Sequence, residues 1–281
     1  MSNFTTKIWK SYRFLILRRV TQITILALYI GGNIYGLKML QGNLSSSSIL
    51  GIIPLSDPYA ALQMFAAGAA ISMNLIIGAG IITLFYMLVG GRVFCSWVCP
   101  VNMITDMANF LRRKLGFNEI QKRQPASRNL RYWIILLSLI LSYILGVTAF
   151  EFVSPISITH RAIIFGLGLG WTAMLVIFLF DLFILKNGWC GHLCPLGGYY
   201  SIIGQKSLIR VDHNHTNCTA CMKCKEVCPE NQVLFMIDKS SEQILSGECT
   251  NCGRCVEVCD DDALNFSIRK LIKEKNNETN K

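Results

Sequence analysis

Charge is scarce in this chain. Only 16% of its 281 residues are Asp, Glu, Lys or Arg, while 52% are hydrophobic, a balance that soluble domains of this length seldom show and that points to a bilayer as the solvent. The haem-attachment pattern C-x-x-C-H is absent, which excludes covalently held c-type haem, and there is no molybdenum-site signature. What charge there is leans one way, 27 basic residues against 17 acidic. The basic excess does not signify nucleic acid, because it crowds the ends of apolar stretches, where membrane lipid headgroups and topology account for it.

Four stretches are apolar enough to cross a hydrocarbon core, which takes about 20 helical residues: 20–37, 69–89, 132–153 and 162–185. Lys7, Lys10, Arg13, Arg18 and Arg19 precede the first. Arg92, Arg112, Arg113, Lys114, Lys122, Arg123, Arg128 and Arg131 lie between the second and third, whereas the other two loops hold only Lys38 and Arg161. Positive charge stays on the cytoplasmic side, so both termini are expected there. The apolar run after Arg18-Arg19 exceeds the about 7–15 residues of a signal core, which makes the twin arginines topology determinants.

Twelve cysteines dominate the chemistry. Cys218, Cys221, Cys224 and Cys228, followed by Pro229, form a C-x2-C-x2-C-x3-C-P run, and Cys249, Cys252, Cys255 and Cys259 repeat the spacing with Asp260 in place of the proline. Such a run wraps three irons of a cubane and sends its fourth cysteine to the other cluster. The expectation is two 4Fe-4S clusters, one on Cys218, Cys221, Cys224 and Cys259 and one on Cys249, Cys252, Cys255 and Cys228. Zinc sites built from C-x2-C pairs leave the third and fourth cysteines unexplained, and disulfides do not suit a reducing compartment. The runs are similar to the bacterial dicluster ferredoxin module over 208–266. Strand-like pieces near 208–211, 232–237 and 263–268 go with it. This segment carries ten acids against five bases, either for solubility or as a docking face for a basic redox partner.

The organisation expected is thus a four-span membrane domain over 1–206, an α+β ferredoxin-like domain on the cytoplasmic side over 207–268 and a charged tail over 269–281. A second cysteine repeat marks the membrane surface: Cys95, Cys99, Pro100 after the second span and Cys190, Cys194, Pro195 after the fourth, both C-x3-C-P. Helical positions i and i+4 share a face, so each pair can offer two thiolates to a further centre, meet the other pair, or act as a dithiol. His192 lies inside the second motif where the first has Trp97. His213 and His215 read as surface residues. Acids inside a membrane are costly and invite a functional reading: Asp181 in the fourth span, and Asp57 and Glu151 near the outer surface with His160 close in sequence. Asp57 reads equally well as the cap of a turn in Ser56-Asp57-Pro58.

The whole plan resembles the NapH-type membrane ferredoxins of periplasmic nitrate reductase systems. Arg18-Arg19 with Gln22, Gly42-Asn43-Leu44-Ser45-Ser46-Ser47 and Pro54-Leu55-Ser56-Asp57-Pro58 carry the likeness beyond the cysteines. The resemblance implies an electron-transfer subunit of the bacterial inner membrane with quinol dehydrogenase activity. It would pass electrons from quinol, through a periplasmic iron-sulfur protein of NapG type, towards the periplasmic nitrate reductase, whose chemistry belongs to that partner. Asp57 and Asp181 are the candidate proton acceptors, with Cys95, Cys99, Cys190 and Cys194 on the path. Rival readings are a redox maturation factor that reduces or loads a partner's metal centre, and a flavin-linked electron-transfer subunit.

Overall fold

The computed structural model describes residues 2–36, 39–116, 127–166 and 169–270. Lys38, Lys122, Arg123 and the tail 271–281 lie outside the described residues, as do the side chains of Lys7 and Lys10.

Helix α1 (Ser2–Ile34) is the longest element. A three-stranded antiparallel sheet follows, β1 (Leu40–Gly42), β2 (Ser46–Ile49) and β3 (Ile53–Ser56). Its β2–β3 turn is closed by Ile52 N–H donating to Ile49, with Leu50 and Gly51 both at positive φ, the backbone that a twisted two-residue hairpin requires. Helix α2 (Pro58–Ala66) begins with Pro58 at its first turn and Asp57 accepting from Tyr59 N–H, a standard N-cap. Then come α3 (Met73–Val89), α4 (Val93–Trp97), α5 (Val101–Lys114), α6 (Leu130–Leu145), α7 (Ala149–Val153), α8 (Pro155–Phe165) and α9 (Leu169–Leu179). Helix α9 runs into a π-helical turn, Phe180–Ile184, and a second one, Trp189–Leu193, precedes α10 (Pro195–Gly204). Strand β3 lies along α3 at Gly78, where a Cβ would come within 2.9 Å of Ser56 N.

The apolar stretches are interrupted more often than their hydropathy implies. Within α1, 12–34 is long and apolar enough to cross a membrane, whereas Met73–Val89, Leu130–Leu145 and Gly170–Ile184 are shorter than a full span. The expected helix over 69–89 begins only at Met73, after Ser72 caps it. Those over 132–153 and 162–185 are cut at Gly146 and Gly166, which take left-handed C-cap conformations with φ of 66° and 67°. Glycine ends a helix at such a position, a signal that averaged hydropathy does not register.

The C-terminal unit is α+β. Strands β4 (Ile209–His213) and β5 (Leu264–Ile268) pair antiparallel, with α11 (Lys223–Val227) and α12 (Arg254–Glu257) between them. The expected strand over 232–237 is instead a 3-10 turn, Asn231–Leu234, leading into further turns. Its Val233, Leu234, Met236 and Ile237 are buried in the core of this unit, so the apolar run marks burial rather than a strand. Helix α12 packs on α1, and α10 packs between α3 and α6. The unit is seated closely: Gly91 and Gly247 both abut the end of α10, where an added Cβ would lie 1.9 Å from the carbonyls of Tyr200 and Ser201 respectively.

Candidate iron-sulfur sites

Cys218, Cys221, Cys224 and Cys259 line one small cavity, and Cys228, Cys249, Cys252 and Cys255 line another. Each set takes three residues from one run and one from the other. The loops turn tightly through left-handed residues, Ala220 and Met222 in the first run, Asn251 and Gly253 in the second. The runs are tied together by Thr219 N–H donating to Asp261 and by the Lys223–Asp260 ion pair. Cys221 is exposed, while Cys224, Cys252 and Cys255 are buried. His213 corrects its sequence reading: it is 1% exposed, lines the first cavity and is hydrogen-bonded through Nδ1 to Ser240 O, while His215 is at the surface.

The two C-x3-C-P motifs meet. Cys95 on α4, Cys99 before Pro100, Cys190 in the π-helical turn and Cys194 at the start of α10 line a third small cavity, otherwise walled by Phe94, Val101, Ile156, Trp189, Leu196 and Gly197. Burial in this apolar wall pushes the Cys194 thiol up to about 12 and Cys99 and Cys190 well above their ordinary range. Bare thiols here stay protonated; a bound metal centre would make them thiolates. The cysteine sets fit an iron-sulfur cluster better than one ion. Four thiolates on one zinc lie about 3.8 Å apart, yet among the described residues no three His, Cys, Asp or Glu groups are close enough to hold a single ion. Each set is instead spread around the wall of its own cavity.

Each motif also grips one ferredoxin loop. From the first, Ser96 Oγ donates to Thr250 O and Trp97 Nε1 to Asn251 O. From beside the second, Lys186 Nζ donates to Glu226 O and Asn187 Nδ2 to Pro229 O. A fourth small cavity lies between, with Cys95 and Cys190 on one wall, Cys252 on another, and Arg18, Arg92 and Arg254 around it. The cavity of Cys228, Cys249, Cys252 and Cys255 is therefore the one nearer the C-x3-C-P cysteines, and that of Cys218, Cys221, Cys224 and Cys259 is the distal one, reaching the surface at Cys221.

Buried ion pairs hold this seat. Arg92 donates to Glu230 Oε1 at 2.6 Å and to Cys190 O at 3.0 Å, and both ionised side chains are almost fully enclosed. Glu230 is shared with Arg128; Arg131 pairs with Glu248. Asp106 on α5 binds Arg19 and Arg254, with Arg18 at 3.6 Å. Burial opposes the Asp106 carboxylate, but Arg254, Arg18 and Arg19 together hold its pKa below the ordinary range. The basic residues counted for topology thus also bind the acids of the C-terminal unit, several of which face this chain's own arginines.

A family described as a 4Fe-4S binding domain matches residues 71–118 and 167–211, and one described as a 4Fe-4S dicluster domain matches 210–260. The ferredoxin-type protein NapH of Haemophilus influenzae is 48% identical over 227 residues, covering 80% of this chain and 78% of its own. The methylamine utilization ferredoxin-type protein MauN of Methylorubrum extorquens is 43% identical over 242 residues, covering 85% and 83%. The chain belongs to the NapH/MauN family of ferredoxin-type proteins. NapH of Escherichia coli K12 is similar at 41% identity over 80% of the chain. No solved structure matches. In this NapH/MauN chain the first family match falls on the two C-x3-C-P halves and the second on the paired cysteine runs; it is an electron-transfer ferredoxin-type protein with 4Fe-4S binding domains.

The acids singled out from sequence fall in two places. Asp57 caps α2 and accepts from Tyr200 OH at 3.4 Å, so the segment after the sheet folds inward to α10. Burial, then Glu151, push its carboxyl up to about 7, against the hydrogen bonds it accepts. Glu151 accepts from the hydroxyls of Ser45 and Ser157. Asp181 is fully buried and accepts from Trp189 N–H, holding the turn that carries Cys190. His160 packs edge-on against Tyr29, and His192 is buried among the second motif. Arg18, Asp106, Arg254, Glu230 and Glu248 were not legible as a site. The available signal was position: Glu230 and Glu248 each adjoin a cysteine run, and Arg18 and Arg92 adjoin apolar stretches.

Proposed function

We propose that this chain is a membrane quinol dehydrogenase component: it takes electrons from quinol through three iron-sulfur centres and passes them, by way of a periplasmic iron-sulfur protein of NapG type, towards a periplasmic nitrate reductase. The observation that carries it is the trio of cavities, each lined by four cysteines. In this reading Cys218, Cys221, Cys224 and Cys259 hold one 4Fe-4S cluster and Cys228, Cys249, Cys252 and Cys255 the other. Cys95, Cys99, Cys190 and Cys194 hold a third centre. Bound clusters supply one-electron storage; the chain's own residues enclose them, exclude water and fix their order. Membrane insertion is supported by α1 and by the apolar side chains that α3, α6 and α9 leave exposed, among them Ile76, Phe85, Leu137, Ile144, Leu175 and Val176. Shorter helices span only with a locally thinned bilayer or with their flanking turns. The charge asymmetry puts the cysteine sets on the cytoplasmic side of the cytoplasmic membrane with both termini.

On anaerobically purified protein, a menaquinol analogue should reduce the clusters promptly, seen by absorbance and electron paramagnetic resonance. Clusters that stay oxidised with quinol yet reduce with dithionite would sink the reading. A second reading is electron delivery to build or reduce the metal centre of a partner enzyme; the relatives named for methylamine utilization extend the family beyond nitrate systems. A ferredoxin-type chain common to two systems carries electrons rather than doing either system's substrate chemistry. Loss of the partner's cofactor in a strain lacking this chain would select it.

A further inference from the structure

One cavity is far larger than the cysteine-lined ones, about 570 Å³, and it lies between α1, α5 and the α11–α12 side of the C-terminal unit. We propose that it is the binding site of a lipid-soluble hydroquinone. This deepens the quinol reading above and rests on it.

The lining has two characters. Tyr12 and Leu15 of α1, Met103, Met107 and Phe110 of α5, and Val258 make an apolar wall; Arg18, Asp106 and Arg254 make a polar floor. Concave, mainly apolar sites with a few convergent polar groups are where small organic ligands bind. On the floor, Arg18 is the group without a match. Its side chain is 0% exposed, none of its three guanidinium nitrogens has a hydrogen-bond partner, and the nearest acid, Asp106 at 3.6 Å, is already taken by Arg19 and Arg254. A buried donor left without an acceptor is costly, and a ring oxygen of a hydroquinone is an acceptor of the kind Arg18 lacks. Arg18, Arg19, Arg113 and Arg254 outnumber the acids Asp106 and Glu257 in the lining; the apolar wall, rather than the charge balance, is what favours a hydroquinone over a phosphate.

Access and position agree. Tyr12, Met107 and Phe110 are 50%, 58% and 59% exposed, so the mouth opens on apolar surface from which an isoprenoid tail can enter. The same cavity borders all three cysteine sets by shared residues. Val258 also lines the Cys218–Cys221–Cys224–Cys259 cavity, Arg254 the Cys228–Cys249–Cys252–Cys255 cavity, and Arg18 the chamber that holds Cys95 and Cys190.

The test is a binding titration of the whole, cluster-loaded protein in phosphatidylcholine nanodiscs, using the fluorescent quinol-site probe heptyl-hydroxyquinoline N-oxide. Met107→Trp and Leu15→Trp fill the cavity, and Met107→Leu is the conservative control; dithionite-reduced paramagnetic spectra verify that the clusters are intact in each. The expected result is saturable one-to-one binding in wild type and Met107→Leu, competed by menaquinol and weakened at least tenfold in both Trp variants. Equal binding in all four proteins overturns the site. If menaquinol also reduces the clusters equally in all four, the quinol reading stands and only this location falls; if wild type neither binds the probe nor is reduced by menaquinol, both fall. Displacement of the probe by phosphatidylglycerol or cardiolipin discs, and not by menaquinol, makes the cavity a lipid-headgroup site and likewise overturns the proposal.

Discussion

Removing one side of the buried Arg92–Glu230 pair has unequal effects depending on which side goes. Both side chains are at most 2% exposed, and breaking such a pair leaves an uncompensated charge that costs about 3–5 kcal/mol. Arg92→Met leaves Glu230 still facing Arg128, so the loss falls near the lower figure. Glu230→Gln leaves both Arg92 and Arg128 without their carboxylate, which places it near the upper one. For a folded unit of this size each kcal/mol moves the thermal midpoint by about 2–4 °C, giving drops of roughly 6–12 °C for Arg92→Met and 10–20 °C for Glu230→Gln. The assay is thermal loss of cluster absorbance in detergent for the two single variants and the double. Because the two residues touch, the double variant should cost less than the summed singles by about 0.5–3 kcal/mol. A Glu230→Gln variant milder than Arg92→Met, or strictly additive losses, would refute the reasoning.

The crossed ligand sets predict that Cys259→Ala abolishes the paramagnetic signal of the cluster held by Cys218, Cys221 and Cys224 and spares the other, while Cys228→Ala does the reverse; selective loss from the residue's own run would count against it. Gly247→Ala, whose Cβ would lie 1.9 Å from Ser201 O, should loosen the C-terminal unit without touching a cysteine, read as faster hydrogen exchange across β4 and α12. Asp57 binds its proton more tightly in the fold, near pH 7, than in the unfolded chain near 3.8. The stability tied to that proton is complete below about pH 4 and is lost as pH rises through 7. Asp57→Asn should flatten that slope in thermal melts, and an unchanged slope would assign it to another group.

The metal chemistry was legible because ligand spacing is a local property. Three cysteines two residues apart can only wrap a compact body, and the structure brings both crossed sets to separate cavities. The apolar helices were legible only in outline. Hydropathy averages over a window and passes across Gly146 and Gly166, where single left-handed residues end α6 and α8. The strand expected over 232–237 failed for a related reason: a short apolar run says that residues are buried, and only hydrogen-bond partners decide between strand and turn. Least legible was the seat between the two parts. Arg92 and Glu230 are 138 residues apart, and nothing local to either announces the other. The acids of the C-terminal unit suggested a foreign basic partner, yet Glu230 and Glu248 bind this chain's own arginines.

The account rests most heavily on the meeting of Cys95, Cys99, Cys190 and Cys194 as a third iron-sulfur centre. Iron should therefore be counted, with Mössbauer spectra, on anaerobically purified wild type and a Cys95→Ser/Cys190→Ser variant. The account predicts about twelve irons per wild-type chain if the third centre is also a four-iron cubane, and about eight in the variant with both ferredoxin-type signals intact. Eight irons in both proteins, with superimposable spectra, would contradict it and leave these four cysteines as a buried thiol cluster.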